Sequence, residues 1–153
     1  MKKLLPFLAV LGLLLAGCSS SKTATQNDTA LAKGIPPGQC RIMADVIKID
    51  TTFSGNSEND PCSKAPCTAW IKVKKIIGYG AGSVGLNSGD TLKAKFAFTL
   101  NPTDQKTFPT LKVNYPGLNE GSSFEADVQL MPSNPSAAQK EKVYIVYGYK
   151  KID

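Results

Sequence analysis

The sequence predicts an all-β fold, a small five-stranded barrel, closed or nearly closed, over residues 40–153. Three observations carry that expectation. Residues 91–100 and 123–131 alternate apolar and polar side chains with a period of two, the pattern of half-buried strands. Val143 to Tyr149 is an unbroken β-branched and aromatic run, as in a strand that is covered on both faces or closes a barrel. The two earlier segments, 41–50 and 68–77, also alternate, but each breaks period once, which predicts bulges that let long strands bend. Five strands, the first two long and bent, suit a sheet that closes on itself. A β-sandwich is the alternative, disfavoured because the immunoglobulin type needs about seven strands.

Each element follows from local pattern. In β1, residues 41–50, Ile42, Ala44 and Val46 give way to Ile47 and Ile49, a change of face. The loop after it ends in Pro61-Cys62-Ser63-Lys64-Ala65-Pro66-Cys67. In β2, residues 68–77, Ile71 and Val73 alternate with Lys72 and Lys74 until Lys75 precedes Ile76 and breaks the period. Gly80, Gly82 and Gly85 match G-x-G-x-x-G after a strand, but the chain runs on through Ser88-Gly89-Asp90 into another strand. No helix N-terminus is therefore available to hold a pyrophosphate, and the segment reads as a hairpin loop. In β3, residues 91–100, Leu92, Ala94, Phe96, Phe98 and Leu100 face one way and Lys93, Lys95 and Thr99 the other. Pro102, Pro109 and Pro116 then oppose a long helix. β4, residues 123–131, sets Phe124, Ala126, Val128 and Leu130 against Glu125, Asp127 and Gln129, and a short helix is expected around 136–142 before β5 at 142–152.

In strand number, length and spacing this series resembles an OB-fold, over about three quarters of the chain. It departs from that fold where the β3–β4 connection, commonly helical, is proline-rich instead. The resemblance implies ligand binding on the face of β2 and β3 and the loops beside it. That face would present Trp70, Lys72, Lys74, Lys93 and Lys95, an aromatic among basic groups suited to acidic protein surfaces or anionic glycans. The competing reading is a lysine-blunted surface that guards strand edges against aggregation. Tyr144, Tyr147 and Tyr149 read as core or rim packing.

The N-terminus carries a different kind of information. Lys2 and Lys3 form a positive n-region, Leu4 to Leu15 an apolar stretch, and Leu15-Ala16-Gly17-Cys18 a lipobox. The stretch is shorter than the ~20 apolar residues a transmembrane helix needs. This layout resembles the signal of bacterial lipoproteins, which implies removal of residues 1–17 and a thioether-linked diacylglycerol with an N-acyl chain, such as palmitate, on Cys18. Two or more chains hold a protein firmly on a bilayer, at about 0.8 kcal/mol per buried methylene. Ser19 stands where an Asp favours inner-membrane retention in enterobacterial lipoproteins, so the resemblance extends to the outer-membrane class, with the domain facing the periplasm. Residues 18–39 are small and polar, with Pro36 and Pro37 near their end, and read as a lipidated flexible tether spanning roughly 25 Å.

The remaining chain length allows one domain. The formal charge is +6, and loss of Lys2 and Lys3 leaves +4, a mild excess without the clustered basic patch that nucleic acid requires. No nucleic-acid partner is expected; the expected partners are the membrane, through the lipids, and an envelope protein or glycan. With Cys18 lipidated, Cys40, Cys62 and Cys67 remain. A β1–β2 hairpin puts Cys40 far from Cys67, so a Cys62–Cys67 disulfide is expected, with Cys40 left free and open to pairing two molecules.

Histidine is absent, which removes the usual general base, the Ser-His-Asp and Cys-His arrangements and most metal sites. A zinc set would need three thiolates and a carboxylate. Asp50, Glu58, Asn59 and Asp60 offer oxygen atoms in one loop but lack calcium-loop spacing. Glu125 and Asp127 share a face of β4 and are the one carboxylate pair to weigh for glycoside hydrolysis, although exposed strand faces carry charge by default. No catalytic residue, metal or cofactor is expected. The leading expectation is a non-catalytic binding or adaptor module. The alternative is an inhibitor or structural accessory working through its N-terminal edge, since Cys40 ahead of Ala44-Asp45-Val46 faintly resembles netrin-like and tissue-inhibitor domains.

Overall fold

A computed structural model describes residues 31, 33–104, 106, 108–109, 113–132 and 141–152. Five strands, β1 (Cys40–Asp50), β2 (Thr68–Tyr79), β3 (Thr91–Phe96), β4 (Ser123–Leu130) and β5 (Val143–Ile152), make one sheet that closes in the order β1-β2-β3-β5-β4. All pairings are antiparallel except β3 with β5. The fold is an all-β, OB-fold-like barrel. Besides strands, the described residues form one short 3-10 turn, Pro61–Ser63. The expected signal sequence, Cys18, most of the expected tether and the segment 133–140, with most of the expected short helix, lie outside the described residues.

Closure depends on the breaks in period. The β1–β2 register shifts between Arg41 and Ile42, between Met43 and Ala44, and between Val46 and Lys48. Ile77, Lys74 and Ile47 are the extra residues at these three places, so the expected irregularity near Lys75 is a bulge one residue earlier. Each bulge bends and twists the strand locally. β1 can then pair with β2 along its whole length and with β4 over Cys40–Asp45.

The alternating apolar residues fill the interior. Ile42, Ala44, Ile71, Val73, Ala94, Phe96, Phe124, Ala126 and Val146 are all buried. Phe96 packs on Phe124 with ring centroids 5.8 Å apart and edge-on against Tyr149 at 5.9 Å, geometries the aromatic quadrupole favours. β5 is less covered than its apolar run suggests. Tyr144 and Val146 point inward, while Tyr147 is 49% exposed on the outer side.

β3 stops at Phe96, four residues short of the alternating pattern. The chain leaves the ladder because other backbone claims its groups: Leu100 N–H donates to Pro66 O at 2.8 Å, and Leu118 N–H to Leu100 O at 2.7 Å. Thr99, expected on the polar face, is fully buried and its hydroxyl donates to Asn101 O. Leu100, Tyr115 and Leu118 plug this end of the barrel without a helix among the described residues of the connection. Gly117 makes the turn with φ of 80°. Its N–H donates to the Tyr149 hydroxyl at 3.1 Å.

The opposite end is crossed by the residues just before β1. Gly38 N–H donates to Ala81 O, Gly80 N–H donates to Gln39 O, and Arg41 Nη2 donates to Gly34 O. Pro36 O lies so close to Gly80 that only a residue without Cβ fits there. Residues 34–39, read from sequence as the end of the tether, are thus packed on the barrel. Arg41 also clamps β1 to β4, with Nε 2.7 Å from Asp127 Oδ1 and Nη2 2.8 Å from Asp127 Oδ2. This bidentate pair is nearly buried, which accounts for a carboxylate beneath the surface of a sheet.

Candidate binding face

Strand pairing assembles the outer face of β1, β2 and β3 row by row. Lys48, Trp70 and Lys93 stand in one cross-strand row that continues to Val143 of β5. The next row holds Asp50, Thr68, Lys95, Ile145 and Gln129. On the other side, Lys72 lies between Asp45 and Thr91. Residues directly opposite in a sheet share a face, so four ammonium groups surround one indole.

Trp70 is half-buried, and Lys93 Nζ sits 5.8 Å from the centroid of its ring. The same ammonium donates to Glu141 Oε2 at 2.8 Å, so Lys93 is held between a ring and a carboxylate. Lys72 is exposed, and Lys95 half-buried. Of the five side chains expected here, four come together. Lys74 stands apart: as a bulge residue it leans toward β1, its Nζ 3.4 Å from Asp45 Oδ2. Lys48 was missed by sequence, because the face was drawn from β2 and β3 alone. The change of face at Ile47 was the signal that could have found it.

Beside Lys95 the loop between β1 and β2 folds over the sheet. A depression of about 250 Å³ lies between them, lined by Asp60, Cys62, Lys95, Ala97, Met131 and Ile145. The loop is stapled by the Cys62–Cys67 disulfide, as expected, while Cys40 is free and buried. Burial raises the Cys40 thiol pKa first, and the nearby Asp127 raises it further. Its sulfur is therefore not presented for pairing with a second molecule.

Two of the oxygen-bearing side chains weighed for calcium, Asp50 and Asp60, are turned onto backbone. Asp60 accepts from Cys62 N–H at 2.9 Å and Asn56 N–H at 3.2 Å, bonds that hold its carboxyl below the usual range, with a smaller contribution from Lys95. Asp50 accepts from Thr52 N–H and is lowered chiefly by Thr52, then by Lys93 and Lys48. Glu125 and Asp127 both face Arg41, at 3.9 Å and 2.7 Å. With Arg41 they form a charge clamp between β1 and β4. The glycine-rich loop leads into β3, in keeping with a hairpin loop.

The face can thus offer an apolar ring edge and directed ammonium donors to a partner that brings negative charge and some apolar surface. Set against family models, curated proteins and solved structures, the chain matches none of them.

Proposed function

We propose that the chain is a bacterial outer-membrane lipoprotein whose barrel is a non-catalytic binding module for an acidic partner of the cell envelope, a protein surface or an anionic glycan. Residues 1–17 are the signal removed on export, Cys18 carries the lipids, and the domain faces the periplasm. The observation that supports the binding reading best is the row Lys48-Trp70-Lys93, with Lys72 and Lys95 on the adjoining rows. A face that only blunted a strand edge would not need its half-buried aromatic at the centre of the charge. The inhibitor reading has less support, because Cys40 is buried and residues 34–39 are bonded to the end of β2 and the loop after it.

Photo-crosslinkers at positions 70, 72 and 95 of the full-length protein in its own envelope test the reading. Discrete adducts from these positions, and not from exposed Lys150, which lies opposite Glu125 on the β4–β5 wall, are the expected result. Equal labelling at all four would remove the site.

A further inference from the structure

We infer that the end of the barrel crossed by residues 34–39 rests on the bilayer surface, with the loop after β2 contacting lipid headgroups and the Trp70 face turned away from the membrane. This inference rests on the lipid-anchor reading of Cys18 and goes beyond it. An anchor alone leaves the domain free to present any surface to the bilayer.

The first ground is where the chain leaves the barrel. Gly34 is held by Arg41, Gly38 by Ala81 and Gln39 by Gly80, so the path toward Cys18 departs from this end. Residues 19–33 reach at most about 50 Å even when fully extended. β1 runs the other way, from Cys40 beside the strap to Asp50 beside the loop that carries the disulfide. Strand geometry separates those ends by about 33 Å. Bringing the far end to the membrane would use most of the available reach, whereas the strap end needs little.

The second ground is chemical. Tyr79 and Val84, 52% and 41% exposed, and Ile77, 45% exposed, gather at the end of β2 and in the loop that follows. Tyrosine suits the headgroup level because its ring is apolar and its hydroxyl polar; here the hydroxyl is bonded to Leu86 O at 2.6 Å. Exposed Lys33 and Lys142 lie at the same end, with exposed Lys75 four residues back along β2. The acidic groups there are engaged: Glu141 by Lys93, and Asp90 by the N–H of Asn87. The surface facing outward is apolar with a basic excess, Lys33, Lys75 and Lys142 against the Asp90 carboxylate, the combination that binds anionic lipid. Tethering raises the local concentration of the surface, so even a weak contact is populated.

The test uses the full-length lipidated protein in vesicles of phosphatidylethanolamine and phosphatidylglycerol. A single dye is placed at Ser88→Cys in the loop or at Glu58→Cys at the far end, since Cys40 is buried and Cys62 and Cys67 are bonded. Nitroxide-labelled lipid is expected to quench the dye at 88 severalfold more than the dye at 58, with the difference lost in Tyr79→Asp/Val84→Asp protein. Equal quenching at both positions in protein that floats with the vesicles would overturn the contact and leave the anchor standing. Protein that fails to float would overturn both.

Discussion

Removing one member of the Arg41–Asp127 pair should be among the most damaging single changes to the domain. The side chains are 12% and 7% exposed and share two short bonds, 2.7 and 2.8 Å, across the β1–β4 seam. Deleting one partner of a nearly buried pair leaves a charge that water cannot solvate, at a cost of about 3–5 kcal/mol. Arg41→Met strands the Asp127 carboxylate and should lie toward the upper part of that range. Asp127→Leu should lie toward the lower part, because Arg41 keeps Glu125 at 3.9 Å and Gly34 O at 3.3 Å. The double variant Arg41→Met/Asp127→Leu replaces the pair by apolar side chains and should cost far less than the two singles together, about 1 kcal/mol or less. Urea unfolding followed by the fluorescence of Trp70, the single tryptophan, measures all three. Singles costing under about 1 kcal/mol, or a double equal to their sum, would refute the clamp.

Other consequences are more local. Cys62→Ala/Cys67→Ala opens a six-residue loop and should cost about 2 kcal/mol by loop entropy, read from the same urea curves; no loss would mean that the loop is held by Asp60 and its neighbours alone. Gly80→Ala drives a methyl into Pro36 O and should lift residues 34–39 from β2, seen as faster proteolysis within that segment; unchanged cleavage would contradict the strap. Burial raises the Tyr115, Tyr144 and Tyr149 phenols above their ordinary value of 10.0. The stability gained by keeping them neutral is present below that value and lost as pH rises through the raised folded values. Their phenolate absorbance should therefore appear together with loss of β-sheet circular dichroism, and ionisation like that of free tyrosine in an intact fold would contradict the core packing.

Much of the fold was legible because burial in a sheet imposes a period of two. Leu92, Ala94 and Phe96 of β3 and Phe124, Ala126 and Val128 of β4 keep that period and are buried as their pattern implies. The same rule failed at Thr99. There the chain had left the ladder, and backbone bonds to Pro66 and Leu118 decided what was covered. Nor did periodicity reach the strap, since proline and glycine at 34–38 look alike in a linker and in a segment pressed onto a strand. The binding face was legible in its residue types, but its geometry depended on bulges. One extra residue at Ile47 brought Lys48 beside Trp70, and another at Lys74 took that lysine toward Asp45.

Charge reversal on the Trp70 face tests the binding role most directly. Lys48, Lys72, Lys93 and Lys95 would be changed to Glu together in the full-length protein, and crosslinking yield from position 70 compared with that of the unaltered protein in the same envelope. Loss of the adducts, with unchanged circular dichroism and membrane fractionation, is the expected result. Adducts of the same identity and yield from the reversed face would contradict a partner recognised by those ammonium groups.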